Sequence, residues 1–194
     1  MPSTRRSLLT TFLMLPLIDV ARSRAFAQAA PELLLTPACD DGDELTLERE
    51  AGPFFRPNSP LNRDLYPAAP EGERITVAGF VFDNRCRPLA GGLVEIWHAD
   101  ENGDYDSVGF HLRGHQFTDT EGRWWFNTIV PALYPGRTRH FHLKVQRPGG
   151  RVLTTQLYFP GEPRNAGDRL FHKALLLDIK QTRDGKFGRF DFVV

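Results

Sequence analysis

Cysteine is nearly absent from this chain of 194 residues, with only Cys39 and Cys86, far apart in the sequence. Neither belongs to a C-x-x-C pair, which argues against thiolate ligation of a metal. In an oxidising compartment an even pair suggests a disulfide instead. Closing that loop is worth roughly 4 kcal/mol and would staple the N-terminal segment onto the first strand hairpin; two free thiols are the alternative. Net charge is missing as well: 24 Lys and Arg balance 24 Asp and Glu. That leaves no electrostatic footprint for nucleic acid and no polybasic cluster for a membrane surface. Long hydrophobic runs are also lacking. The apolar stretch over residues 8–18 is too short to span a bilayer, and Asp19, Arg22 and Arg24 block its extension. Internal repeats and low-complexity tracts are absent, and the length suits one well-filled domain.

What is present begins with an export signal. Thr4, Arg5, Arg6, Ser7, Leu8 and Leu9 form a twin-arginine pattern, followed by the apolar run and by Ala25, Phe26 and Ala27 as a small-x-small cleavage site. Residues 1–27 are therefore expected to be removed. The protein would be exported folded to the periplasm or the extracellular space, a route that suits a cofactor loaded in the cytoplasm. The remainder carries 20 basic and 23 acidic residues, with no membrane anchor expected once the signal is gone.

Residues 28–74 are rich in Pro, Asp and Glu with little periodicity, and predict a long arm and loops. From Ile75 the pattern changes to alternation. Strands are expected over residues 75–81, 93–98, 113–118, 123–129, 140–146 and 152–159, each closed by Gly, Pro or Asp turns. A short helix is expected within 165–177, and two last strands over 175–179 and 187–193. This spacing favours an all-β fold, an antiparallel β-sandwich of immunoglobulin or transthyretin-like type formed by residues 75–194. Trp97, Trp124 and Trp125 read as sandwich core. The tandem pair must face opposite sides of its strand, so one of them needs a cover such as the arm or a partner subunit.

The densest chemistry lies between Tyr134 and His142, where a phenol, two guanidinium groups (Arg137 and Arg139) and two imidazoles share nine residues. On a strand, His140 and His142 leave from one face and Phe141 from the other. A lone His-x-His is commonly an ordinary surface or core pair. Of the four tyrosines, however, Tyr105 and Tyr134 sit at turns beside this strand, while Tyr66 lies in the arm and Tyr158 inside an apolar strand. Two phenolates and two neutral imidazoles suit a high-charge ion such as Fe(III). His98, His111, His115 and His172 have no partner at ligand spacing; His98, directly after Trp97, is a candidate pocket residue.

Trp97, the Gly103-x-Tyr105 turn, Gly114 with Thr118 and Asp119, Tyr134-Pro135, His140-x-His142 and the run Thr155 to Phe159 together resemble the intradiol ring-cleavage dioxygenases. Glu50, Gly52, Pro53 and Phe54 fit the same pattern, and the likeness covers roughly residues 48–162. The exported, cysteine-containing form is similar to that family's small secreted bacterial branch. The resemblance implies a non-haem Fe(III) enzyme that uses O2 to cleave a catechol between its two hydroxyl-bearing carbons, giving a cis,cis-muconate-type diacid. It makes Tyr105, Tyr134, His140 and His142 the iron ligands, with Tyr134 the phenolate that leaves when substrate binds. It makes Arg137 and Gln156 active-site residues. The interval from Tyr134 to His140 is shorter than in the protocatechuate and catechol enzymes, so Arg139 competes with Arg137 for the arginine's role. A homodimer held by the arm is compatible with this picture. The competing function is a secreted, metal-free β-sandwich binding module, which explains the strands and leaves the four ligand candidates as coincidence.

Overall fold

The computed structural model describes residues 44–194. The expected export signal and Cys39 lie outside the described residues; Cys86 is disulfide-bonded. Among the described residues, nine strands form two packed sheets. One has the order β3-β2-β5-β6, built from β2 (Leu93–Trp97), β3 (Arg113–Phe117), β5 (His140–Gln146) and β6 (Val152–Tyr158). The other has the order β4-β1-β8-β7, with β1 (Arg74–Phe82), β4 (Arg123–Ile129), β7 (Asp178–Thr182) and β8 (Gly185–Arg189). The short β9 (Phe192–Val193) also pairs with β1. Pairing is antiparallel except where β8 and β9 run parallel to β1.

Period-two alternation explains the core. Ile75, Val77 and Val81 of β1 and Trp124 and Phe126 of β4 meet Val94, Ile96, Phe141, Leu143, Val145 and Leu157 from the opposite sheet. His140 and His142 have the other parity. They therefore stand on the outer face of the β3-β2-β5-β6 sheet, turned away from the sandwich interior.

The arm covers that outer face. Its first described part runs beside β6: the Arg49 N–H donates to the Thr154 carbonyl (2.8 Å), Thr155 Oγ1 to the Leu47 carbonyl (2.7 Å), and Gln156 Nε2 to the Glu50 carbonyl (2.8 Å). Its second part closes the far side. Asn62 N–H donates to the His115 carbonyl of β3 (3.0 Å) and Leu65 N–H to the Asn127 carbonyl of β4 (2.8 Å), which occupies both edge strands. The arm also supplies the cover that the tandem tryptophans need. Trp124 is in the core, and Trp125, on the opposite face, lies under the Arg63 guanidinium at 4.2 Å.

Three expectations for the tail are corrected. Residues 165–177 form no continuous helix but two 3-10 turns, Pro163–Gly167 and Lys173–Leu175. Backbone groups that a helix would need are used otherwise: the Leu170 N–H donates to Asp168 Oδ1 and the Leu177 N–H to the Tyr158 carbonyl of β6. The strand expected at 175–179 starts later, at Asp178, because Leu175 and Leu177 are anchored inward. The run 187–193 is split between β8 and β9, with Asp191 between them accepting the Phe80 N–H.

Candidate metal centre

Cross-strand register arranges the site as rows on the outer face. Trp97 of β2, His142 of β5 and Gln156 of β6 are opposite one another, and His140 is opposite Tyr158. The Trp97 indole lies flat on the His142 imidazole, with centroids 5.0 Å apart and planes 6° from parallel. Trp97 is thus a wall of the site rather than the sandwich core residue expected from sequence.

Each imidazole turns its Nε2 toward the same point. His140 Nδ1 is 2.7 Å from the Thr138 carbonyl, so it carries the proton and donates it, leaving the Nε2 lone pair free. His140 Nε2 is 3.0 Å from His142 Nε2 and 3.3 Å from the Tyr105 hydroxyl. Two donors held about 2.1 Å from one ion at right angles would be about 3.0 Å apart, as these nitrogens are. His142 Nδ1 is buried without a hydrogen-bond partner among the described residues. Gly52, at a φ of +71°, brings the arm against this ring: a Cβ there would be 3.3 Å from His142 Cε1.

The two tyrosine loops are locked together. The Ala132 N–H donates to the Asp100 carbonyl (2.9 Å), and Asp100 Oδ1 caps the turn by accepting from the N–H groups of Asn102 and Asp104. Gly103, with a φ of +93°, lies so close to the other loop that a Cβ would be 2.7 Å from the Leu133 carbonyl oxygen. Phe54 from the arm stacks on Tyr105 (4.5 Å, 4°), and the Tyr134 ring meets both edge-on, at 5.6 Å from Tyr105 and 5.3 Å from Phe54. Tyr105, His140 and His142 therefore converge through polar atoms, whereas Tyr134 joins them through its half-buried ring. The Pro-Gly turn after Tyr134 has open space around Gly136, where a Cβ would meet nothing within 4 Å.

Electrostatics keep the imidazoles neutral. Burial, reinforced by the Arg137 charge, pushes His140 down to about 4, and burial with the neighbouring His140 holds His142 well below its ordinary value. Burial raises the Tyr105 phenol, although the Arg137 and Arg113 charges oppose the rise. Neutral imidazoles and a phenol are a donor set that fits Fe(III). Among the described residues no group of three or more His, Cys, Asp or Glu side chains is placed to hold a metal ion; the side chains beside the two histidines are the phenols of Tyr105 and Tyr134.

Arg137 and Arg139 part company here. Arg137 Nη2 donates to Gln156 Oε1 (2.6 Å) and its Nε to Asp168 Oδ2 (2.8 Å), which keeps the guanidinium beside the histidine row. Arg139 precedes β5 with the parity of Phe141 and goes to the other side. There its Nε donates to Glu162 Oε1 (2.6 Å) and its Nη1 to the Pro131 carbonyl. Gln156 has a fixed amide: Oε1 accepts from Arg137 and Tyr158, and Nε2 is spent on the arm. A cavity of about 620 Å³ opens next to Arg137, lined also by Leu133, Pro135, Thr138, Pro163 and Asp168.

Asp168, Trp97, Phe54 and Gly52 were not assigned to the site from sequence. Asp168 accepts from Arg137 and from the Thr138 N–H, so one carboxylate orients both the guanidinium and the residue whose carbonyl holds His140. No local pattern marks it. His98 is in the interior rather than in the pocket. Its Nδ1 donates to the Ala99 carbonyl, its Nε2 accepts from Thr128 Oγ1, and its ring is edge-on to Phe141.

Burial pushes His98 to about 4 as well, and the Ala99 carbonyl only partly offsets it. A histidine depressed on folding from 6.5 stabilises fully above that pH, and its contribution is lost as pH falls toward 4. The denaturant midpoint of the iron-free protein should therefore drop progressively from pH 6.5 to 4. A flat profile across this window would contradict neutral buried imidazoles.

A family model described as a dioxygenase matches residues 50–193. The protocatechuate 3,4-dioxygenase beta chain of Burkholderia cepacia is 37% identical over 154 residues, covering 68% of this chain and 64% of that protein. Catechol 1,2-dioxygenase 2 of Acinetobacter lwoffii is 31% identical over 205 aligned positions, covering 91% of this chain and 70% of its own length. The chain thus spans about two thirds of the length of these relatives. The solved dioxygenase domain of a dioxygenase carbohydrate-binding protein fusion from Streptomyces sp. SirexAA-E is 51% identical with a TM-score of 0.76. That match covers 78% of this chain and 98% of the solved one.

Proposed function

The chain belongs to the intradiol ring-cleavage dioxygenase family, and from that premise we propose that it is a non-haem Fe(III) enzyme opening catechol-type rings with O2. The bond broken lies between the two hydroxyl-bearing carbons, and the product is a cis,cis-muconate-type dicarboxylate. The observation that carries this is the convergence of His140 Nε2, His142 Nε2 and the Tyr105 hydroxyl, with the Tyr134 ring beside them.

Tyr105, Tyr134, His140 and His142 would hold the ion. Fe(III) there would supply Lewis acidity and a template for the catecholate and for its reaction with O2. The chain's own groups do the rest. Tyr134, two residues before the open turn at Gly136, would accept a proton from a substrate hydroxyl at its phenol oxygen. The cavity beside Arg137 gives the ring its approach, and the guanidinium faces negative charge that develops during cleavage. Gln156 holds Arg137 in place. Trp97 and Phe54 wall the site against water. Export by the twin-arginine route to the periplasm or beyond belongs to the same reading, as does a homodimer.

Colour and oxygen uptake test it together. Iron-loaded protein should be red to burgundy from tyrosinate charge transfer and should consume one O2 per catechol, with a ring-opened diacid as product. A colourless protein with stoichiometric iron would sink the ligand set, and a protein that takes up no iron would favour the metal-free binding-module alternative.

A further inference from the structure

Arg113 has no role in the reading above, yet it is among the largest fully buried side chains and only 2% exposed. It makes no ion pair among the described residues. The nearby Asp106 carboxylate is spent on the backbone N–H groups of Val108, Gly109 and His111, at 2.7 to 2.9 Å. Arg113 instead donates from Nη1 to the Phe54 carbonyl (2.6 Å) and from Nη2 to the Asp106 carbonyl (2.7 Å), and its Nε has no partner. Burying a cation for two carbonyl bonds is a poor stabilising device, and an apolar residue of similar volume would fill the space at lower cost.

What the two bonds hold is specific. Phe54 is the ring stacked on Tyr105, and Asp106 is the next residue after Tyr105. One guanidinium thus fixes both backbone segments that carry this stack. It does so from a rigid position on β3, opposite Trp97, which lies on His142. We propose that Arg113 is a positioning residue for Tyr105. It clamps the Phe54 and Asp106 carbonyls so that the Phe54 ring keeps the Tyr105 hydroxyl aimed at His140 Nε2. The inference rests on the reading of Tyr105 as a metal ligand.

The test compares Arg113→Met, Phe54→Leu and the double variant with wild type, in the full chain, by iron content and the visible tyrosinate band. Near-ultraviolet circular dichroism of the iron-free proteins reports the Phe54–Tyr105 stack without any metal. Arg113→Met is expected to keep iron, shift and weaken the visible band, lose the circular dichroism signal of the stack, and lower kcat about 10- to 100-fold with little change in KM. Phe54→Leu should act in the same direction. The double variant should be no worse than the more damaged single one, because both act through one contact. A wild-type band and dichroism signal in Arg113→Met overturns the proposal, as do fully additive effects. If Arg113→Met fails to fold, Phe54→Leu decides alone, and an unchanged band in it is equally fatal. Iron-loaded wild type without a tyrosinate band would instead remove Tyr105 as a ligand, and the proposal with it.

Discussion

His142→Ala is expected to lose iron and colour while the protein stays folded. The variant leaves His140 Nε2 and the Tyr105 hydroxyl 3.3 Å apart, close enough to hydrogen-bond and satisfy each other once the second nitrogen is gone. Removing a partner that only orients a ligand costs about 10- to 100-fold in metal affinity, and deleting the ligand itself should cost more. The effect on the fold is smaller than burial alone suggests. His142 Nδ1 is already a buried group without a partner, so its deletion removes an unsatisfied atom as well as the stack on Trp97. Elemental analysis should show iron falling to background and the visible band vanishing, with a cooperative melt retained. Stoichiometric iron in this variant would mean that His142 is not a ligand.

That the loss should come without unfolding reflects where the site is built. His140 and His142 face outward from the sheet, and the core beneath it is made by Phe141, Leu143 and Val145. Alternation along residues 140–146 makes this separation legible in the sequence, and the strand it implies is the one that forms. The direction of the outer face is not legible, because parity distinguishes two faces without saying which one meets the other sheet. Trp97 shows the consequence. Aromatic bulk alone reads as core, but its register opposite His142 puts it in the wall of the site. Local motifs single out His140, His142, Tyr105 and Tyr134 as candidates because turns and a strand carry them. Asp168 escapes because it acts across 31 positions on Arg137, inside a segment whose periodicity suggests a helix. The Leu170 N–H, taken by the Asp168 side chain, and the Leu177 N–H, taken by the Tyr158 carbonyl, leave two short turns in place of that helix. Spacing alone left Arg137 and Arg139 as rivals, since both lie between Tyr134 and His140; strand parity in the folded chain separates them.

Arg137→Ala is expected to keep iron and colour and to lose turnover by about 10²- to 10³-fold, the scale for deleting one preorganised electrostatic donor. The guanidinium touches Gln156 and Asp168 but none of the proposed ligands by hydrogen bond, so the donor set should survive its loss. Asp168 would lose its cation. Burial pulls that carboxyl upward, and it is held below the usual range by the Thr138 and Leu170 N–H groups together with Arg137. The two backbone donors remain in the variant, so a destabilisation of about 1–3 kcal/mol is expected rather than collapse. Arg139→Ala is the matched control. It breaks the Glu162 pair on the opposite side of the strand and should lower the melting temperature while leaving kcat within about 3-fold, because no group beside the histidine row is disturbed. Steady-state oxygen uptake with catechol, read beside the visible spectrum, separates the outcomes. If Arg139→Ala proved inactive and Arg137→Ala fully active, the charge facing the ring would come from the residue two positions later, and the contact between Arg137 and Gln156 would be structural only.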